Sequence, residues 1–271
     1  MWLKHPTIPS FSKESSQHIA PRPGLKVTTF RFEKLSQAHK LRHEVFSRLG
    51  GVSRSPFDSL NVSHESGDNP ENVRVNLQIV MGVMGTGQML SMNQRHGKDI
   101  SLYREGVDSL TSTVLNGDAI ISNQSKVALM VKSADCQAII LFDPLERVVA
   151  NVHCGWRGNR LNIVADVVAM MKSEFQCKPS HIMAGIGPSL GPCCAEFVTH
   201  EELFPKHFDR FMVRKNYFDL WGLSRWQLLK AGLKKENIEV AGLCTRCRTD
   251  LFYSYRAEGA TGRFATVVML K

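Results

Sequence analysis

Apolar and polar positions along the chain change period several times, and each change marks an element. Residues 24–31 (GLKVTTFR) carry the β-branched content of a first strand. Over 71–84, Val73, Leu77, Val80 and Met81 recur at helical spacing. The centre differs: 127–132 (VALMVK), 138–142 (AIILF) and 148–152 (VVANV) are short continuous apolar runs between turn signals, the pattern of strands buried on both faces. Residues 160–175 return to the helical period, with Leu161, Val164, Ala165, Val168 and Met171 on one face. A strand over 182–187, a helix over about 217–231 and strands over 238–244 and 264–270 complete the series. Strands and helices intermingle without strict alternation, which predicts an α+β (mixed α/β) fold with a mixed sheet.

Between these elements, 45–70 is rich in Gly, Ser, Asn, Asp and Pro, and so long an irregular stretch in a compact domain is often functional. Residues 1–23 read as a polar, proline-punctuated leader ahead of a single domain over 24–271. They lack a signal-peptide core, and no apolar run approaches the roughly 18 residues of a membrane span. The expectation is a cytoplasmic protein with no membrane partner. Seven cysteines, none before Cys136, suit reduced thiols better than a disulfide framework. The net charge of +9 comes from scattered Lys and Arg, without a basic run, nucleic-acid motif or phosphate loop. No nucleic-acid partner is expected, and an anionic small ligand stays open.

Candidate chemistry is densest in ADC (134–136) followed by VHCGWRG (152–158). A four-residue loop over Asp143–Glu146 would pair Phe142 with Arg147 and set Cys136 opposite His153. A thiolate and an imidazole so placed could share a zinc ion, form a nucleophile–base pair, or be a buried Cys and a turn His. Gly155-Trp156-Arg157-Gly158 leads into a helix and is either an anion seat or a plain turn. His96, in QRHG, has no local signal of function. Cys244 and Cys247 form a lone CxxC, and adjacent Cys193 and Cys194 have the wrong spacing for its second half, so these four read as structural or incidental thiols.

Together the motifs QRHG (94–97), NGDAII (116–121), KSADCQAIILFD (132–143), ANVHCGWRG (150–158), GIGPSLGPCC (185–194), LCT (243–245) and YSYRAEGATGR (253–263) resemble the YfiH family over about residues 25–271. Its members are called laccase-domain proteins, polyphenol oxidases or multifunctional purine nucleoside phosphorylases. The resemblance implies a YfiH-like fold, similar to that of bacterial deamidating (CNF) toxins, with mixed sheets flanked by helices. It implies His96, Cys136 and His153 as catalytic zinc ligands, and it also admits copper. It implies purine nucleosides and phosphate as partners: phosphorolysis of adenosine, inosine, guanosine and methylthioadenosine, with deamination of adenosine. Arg48, Arg157 and Arg256 are the candidates for holding phosphate, because guanidinium binds it bidentately. Cys154 stands where many members have Ala, and its role is open, as is the oligomeric state.

Three other classes compete. A cysteine hydrolase, editing peptidoglycan precursors, would use Cys136 as nucleophile and His153 as base. A copper polyphenol oxidase is disfavoured because the ten histidines include no His-x-His pair. A non-catalytic binding protein fits poorly with the presence of all three ligand positions.

Overall fold

The computed structural model describes residues 16–19, 26–104 and 112–271. In chain order, β1 (Ser16–Ile19), β2 (Lys26–Phe30), α1 (Glu33–Ser36) and β3 (Leu41–Phe46) precede a largely irregular segment over 47–69. Helix α2 (Pro70–Met84) leads into β4 (Gln88–Asn93), β5 (Ile100–Tyr103), β6 (Ser112–Asn116) and β7 (Ala119–Ser122). Three longer strands follow: β8 (Val127–Ser133), β9 (Gln137–Asp143) and β10 (Val148–Cys154). Then come α3 (Trp156–Leu161), α4 (Ile163–Phe175), β11 (Met183–Ile186), α5 (His200–Leu203), β12 (Met212–Arg214) and β13 (Tyr217–Phe218). The chain closes with α6 (Leu220–Lys230), β14 (Ile238–Val240), α7 (Tyr255–Glu258) and β15 (Phe264–Leu270).

The strands form two mixed sheets, ordered β1-β2-β3-β15-β8-β4-β6 and β14-β11-β9-β10-β7-β5, beside the small β12–β13 hairpin. One apolar cluster lies between the sheets and joins Leu129, Val131 and Val268 of the first to Ile140, Phe142 and Val149 of the second. Alternate residues of the same strands face outward. Val267 and Met130 pack under Ile79, Val80 and Val83 of α2. Ile139, Leu141 and Ala150 pack against the α4 face, where Val164, Val167 and Met171 are buried. Helix, sheet, sheet and helix thus form four layers, and strands buried on both faces give the continuous apolar runs of the central sequence.

The expected elements are present with shifted ends. Asn69 caps α2 by accepting the Glu71 N–H, and Gly85 ends it in the left-handed region at φ 64°. The helix expected over 160–175 is divided: Asn162, at φ 58°, separates α3 from α4. The one expected from 217 begins at Leu220, because Asp219 caps it through the Gly222 N–H. Residues 16–19, read as part of a polar leader, pair antiparallel with β2 as an edge strand. Strand pairing uses backbone groups and does not require an apolar segment.

The central hairpin corrects the expected register. Phe142 pairs with Val149, not Arg147, and His153 lies across from Ala138. Asp143 stays in β9 and its carboxylate accepts the N–H groups of Leu145 and Glu146, while Arg147 turns the chain at φ 53°. The loop is therefore 144–147. A two-residue change of register preserves the face, so Cys136 and His153 become diagonal rather than direct neighbours.

Candidate functional site

Three segments deliver His96, Cys136 and His153 to the floor of one cavity. Gln94 fixes the first: its side-chain amide donates to the Lys132 carbonyl and accepts the Lys132 N–H, at 2.8 and 2.9 Å. His96 then takes a left-handed backbone at φ 59°. That turn aims the N–H groups of Arg95, His96 and Gly97 at the Asp118 carboxylate, at 3.3, 2.9 and 2.7 Å. Asp118 also contacts His153 Nδ1 at 2.8 Å, and its carbonyl accepts the His153 N–H at 2.7 Å. One buried carboxylate thereby orients both imidazole segments.

Cys136 stands just before β9, after Asp135 at φ 87°. The Asp135 carboxylate gathers three C-terminal groups: Thr245 Oγ1 and Ser254 Oγ at 2.7 Å each, and the Arg256 N–H at 2.6 Å. Gly155 gives the thiol its space, since a Cβ there would lie 2.7 Å from Cys136 Sγ. The ligand atoms of His96, Cys136 and His153 lie within 4.8 Å of one another. The two imidazole rings meet edge to face, 4.8 Å between centroids.

The electrostatics favour an ionised thiol. Burial pushes the Cys136 thiol up, but His153 and His96 more than offset it and hold it at about 6. Burial pulls His153 down, while Cys136 and Asp118 raise it to about 9. Burial likewise raises the Asp118 carboxyl, and His153 with the Gly97 and His96 N–H groups brings it below the usual carboxylate range. With Nδ1 engaged by Asp118, His153 keeps Nε2 for the cavity side, the outer-partner arrangement common to metal-bound histidines. Two nitrogens and one sulfur at this spacing suit zinc and leave a coordination position open.

The cavity has a volume of about 820 Å³. Trp156, Leu190, Phe197 and Leu220 provide its apolar wall, and Lys132, Arg157, Arg256 and Arg263 its cations. Arg157 stacks on Trp156 at 5.0 Å. Arg256 donates to the Glu196 carbonyl at 3.0 Å. Arg48 is not part of this lining: it donates to Asp58 and Thr249 carbonyls, pairs with Glu258 at 2.7 Å and stacks on Tyr253. Its guanidinium ties the 47–59 segment to the C-terminal segment, which sets it apart from Arg157 and Arg256, the other two residues expected beside phosphate.

Sequence reasoning missed Asp118 and Arg263. Both lie in quoted motifs, NGDAII and ATGR, yet only the fold shows their direction. Arg263 donates to the Thr261 and Gly262 carbonyls, and burial lowers its pKa. Cys154, next to His153, faces the other way and packs with the outer core that includes Ile163 and Val164.

A mixed two-sheet fold with a His–Cys–His group able to hold a metal at a cavity floor defines the class of protein. The chain belongs to the YfiH family: the family model described as multi-copper polyphenol oxidoreductase laccase matches residues 42–271. A Bacteroides thetaiotaomicron protein named purine nucleoside phosphorylase is 32% identical over 258 residues, 88% of this chain and 95% of the relative. The Escherichia coli protein named purine nucleoside phosphorylase YfiH is 31% identical, covering 83% of this chain and 91% of its own. The crystal structure of the Bacillus licheniformis hypothetical protein YfiH superposes with TM-score 0.81 at 27% identity, over 90% of this chain and 96% of that one. Among the described residues no helix is long and apolar enough to cross a membrane.

Proposed function

We propose that this protein is a zinc-dependent purine nucleoside phosphorylase that acts on adenosine, inosine, guanosine and methylthioadenosine and also deaminates adenosine. The observation that carries the reading is the convergence of His96, Cys136 and His153 at the floor of a cavity lined by arginines. The names of the relatives support the activity. The cavity volume falls in the range of small-molecule sites.

Zinc held by the three side chains would supply Lewis acidity at the open position. Asp118 holds the His153 ring in one orientation, and the Cys136 thiolate is prepared by the two imidazoles. Arg157 and Arg256, with Arg263 deeper in, present guanidinium groups to phosphate. Phosphate attacks C1′ of the ribose, the glycosidic bond breaks toward the purine, and the products are the free base and ribose 1-phosphate. The Trp156 and Phe197 side of the cavity offers aromatic surface to the base.

A second reading has its own observation. Cys136, His153 and Asp118 also stand in the order nucleophile, base and orienting carboxylate, so a cysteine-type amidase would use the same atoms.

Product analysis from adenosine separates the readings. Adenine and ribose 1-phosphate should form only with inorganic phosphate present, and inosine should form without it. A chelator should abolish both. Arg157→Ala should raise the phosphate KM about tenfold, a loss of roughly 1.4 kcal/mol, with deamination preserved, and Arg157→Lys should restore only part. Activity that survives chelation and falls to a thiol alkylator would favour the hydrolase.

A further inference from the structure

Four of the remaining cysteines meet in space although the sequence separates them into two pairs. Ser189 forms a parallel bridge with Cys244, and the Thr245 N–H donates to the Ser189 carbonyl at 3.1 Å. This places the Gly191–Ala195 turn against the turn that begins at Cys244. In the first turn the Gly191 carbonyl accepts from both Cys194 and Ala195, at 2.9 and 2.8 Å. In the second, Arg248 donates to the carbonyls of Cys244 and Thr245, at 3.0 and 3.2 Å. All four sulfurs of Cys193, Cys194, Cys244 and Cys247 lie within 4.8 Å of one another.

We infer that these four cysteines form a second metal site, a structural tetrathiolate centre for zinc. A tetrahedral zinc with Zn–S near 2.3 Å sets its sulfurs about 3.8 Å apart. Cys247 Sγ is 3.6 Å from both Cys193 Sγ and Cys194 Sγ. All four are free thiols. The Gly191 N–H donates to Cys244 Sγ at 3.3 Å, the kind of outer contact that steadies a metal-bound sulfur. Gly191 is required there, because a Cβ would meet Cys244 Cβ at 3.0 Å and the Trp221 ring at 2.8 Å.

Charge and access also fit. Binding one Zn²⁺ releases four thiol protons to solvent and leaves the centre with a net charge of −2. Arg214 donates to the Cys193 carbonyl at 3.3 Å, which brings one cation to the edge of the cluster. Cys193 and Cys247 are exposed while Cys194 and Cys244 are buried, so an ion can enter from the surface. Four protein ligands close the coordination shell, which assigns the centre to structure. It joins two turns that both reach the Asp135 network, through Leu190 N–H to the Asp135 carbonyl and Thr245 Oγ1 to its carboxylate. This site does not depend on the proposed reaction.

Elemental analysis of the full chain purified with zinc tests it. Wild type should hold one zinc more than Cys244→Ser/Cys247→Ser, and that variant should melt at least about 5 °C lower. Cys136→Ala leaves the cluster intact and avoids any folding defect of the double variant. Loaded with cobalt, it should show strong thiolate-to-cobalt charge-transfer absorption that is discharged as four thiols react with an organomercurial. Equal zinc in wild type and double variant, no such absorption in Cys136→Ala, or a mass showing a disulfide within the cluster would each overturn the proposal.

Discussion

His96, Cys136 and His153 come from three separate segments, open on a cavity, and are backed by a carboxylate that holds two of those segments. Cys193, Cys194, Cys244 and Cys247 come from two turns, lie outside the cavity lining, and are backed by a backbone N–H on Cys244 Sγ, with Arg214 on the Cys193 carbonyl. The contrast is in donor number and in what stands behind the donors. Three mixed donors leave a place for a reactant, whereas four thiols fill the shell. A carboxylate behind a histidine raises its basicity and fixes its ring, and an N–H donated to a sulfur steadies it and offsets part of its charge. The first arrangement suits chemistry and the second suits a staple.

The largest effect should come from the first group. His96→Ala and Cys136→Ala should each lower phosphorolysis and deamination together by more than about a hundredfold, beyond the range typical of an outer partner. Melting should move by no more than about 3 °C, because neither side chain is part of the apolar clusters. Steady-state rates for both products and a melting curve provide the check. Deamination lost with phosphorolysis intact would show that the centre is not shared. A melting loss as large as that of Cys244→Ser/Cys247→Ser would erase the distinction between the two groups.

Asp118→Asn should act next most strongly and in both ways at once. Asparagine preserves the volume but brings an NH₂ where the carboxylate now accepts from Gly97, His96 and His153. Zinc affinity or activity should fall about 10–100-fold. Leaving buried donors opposed costs about 1–3 kcal/mol, or several degrees of melting temperature in a chain of this size. Zinc competition and calorimetry read the two effects separately. Unchanged zinc affinity and activity would remove Asp118 as a positioning residue.

What is legible in the sequence follows from the range of the interactions. The three central strands and α2 can be read because burial on two faces and helical periodicity are local patterns. The face shared by Cys136 and His153 can be read because one hairpin joins them, although the left-handed Arg147 moves the register by two. The four-cysteine group cannot be read, since its halves meet through a bridge between Ser189 and Cys244. Adjacent cysteines look wrongly spaced only against a second CxxC pair, and in this turn both sulfurs reach Cys247 Sγ. Arg48 shows the same limit from the other side: its motif suggests a ligand site, and only the fold shows Asp58, Glu258 and Tyr253 around its guanidinium. β4 to β7 carry short or polar-interrupted patterns, and their pairing with distant strands decides them.

The smallest effect marks the edge of the first group. Cys154 follows His153 directly, so chain proximity alone would make it a fourth ligand. Successive residues of a strand point to opposite faces, and Cys154 belongs to the outer core with Ile163, Val164 and Val167. Burial pushes its thiol far up, with the neighbouring Cys136 charge adding to the effect, so it stays protonated and is a poor ligand. Cys154→Ala should therefore keep the full zinc content and activity within about twofold of wild type. Removing one buried sulfur leaves a small void and should cost about 1 kcal/mol, a melting shift of about 2–4 °C. Metal analysis, rates and melting on the one variant decide the matter. Loss of a zinc equivalent, or a fall in activity beyond about tenfold with melting unchanged, would place Cys154 in the metal centre and redraw the boundary between the core thiols and the reactive one.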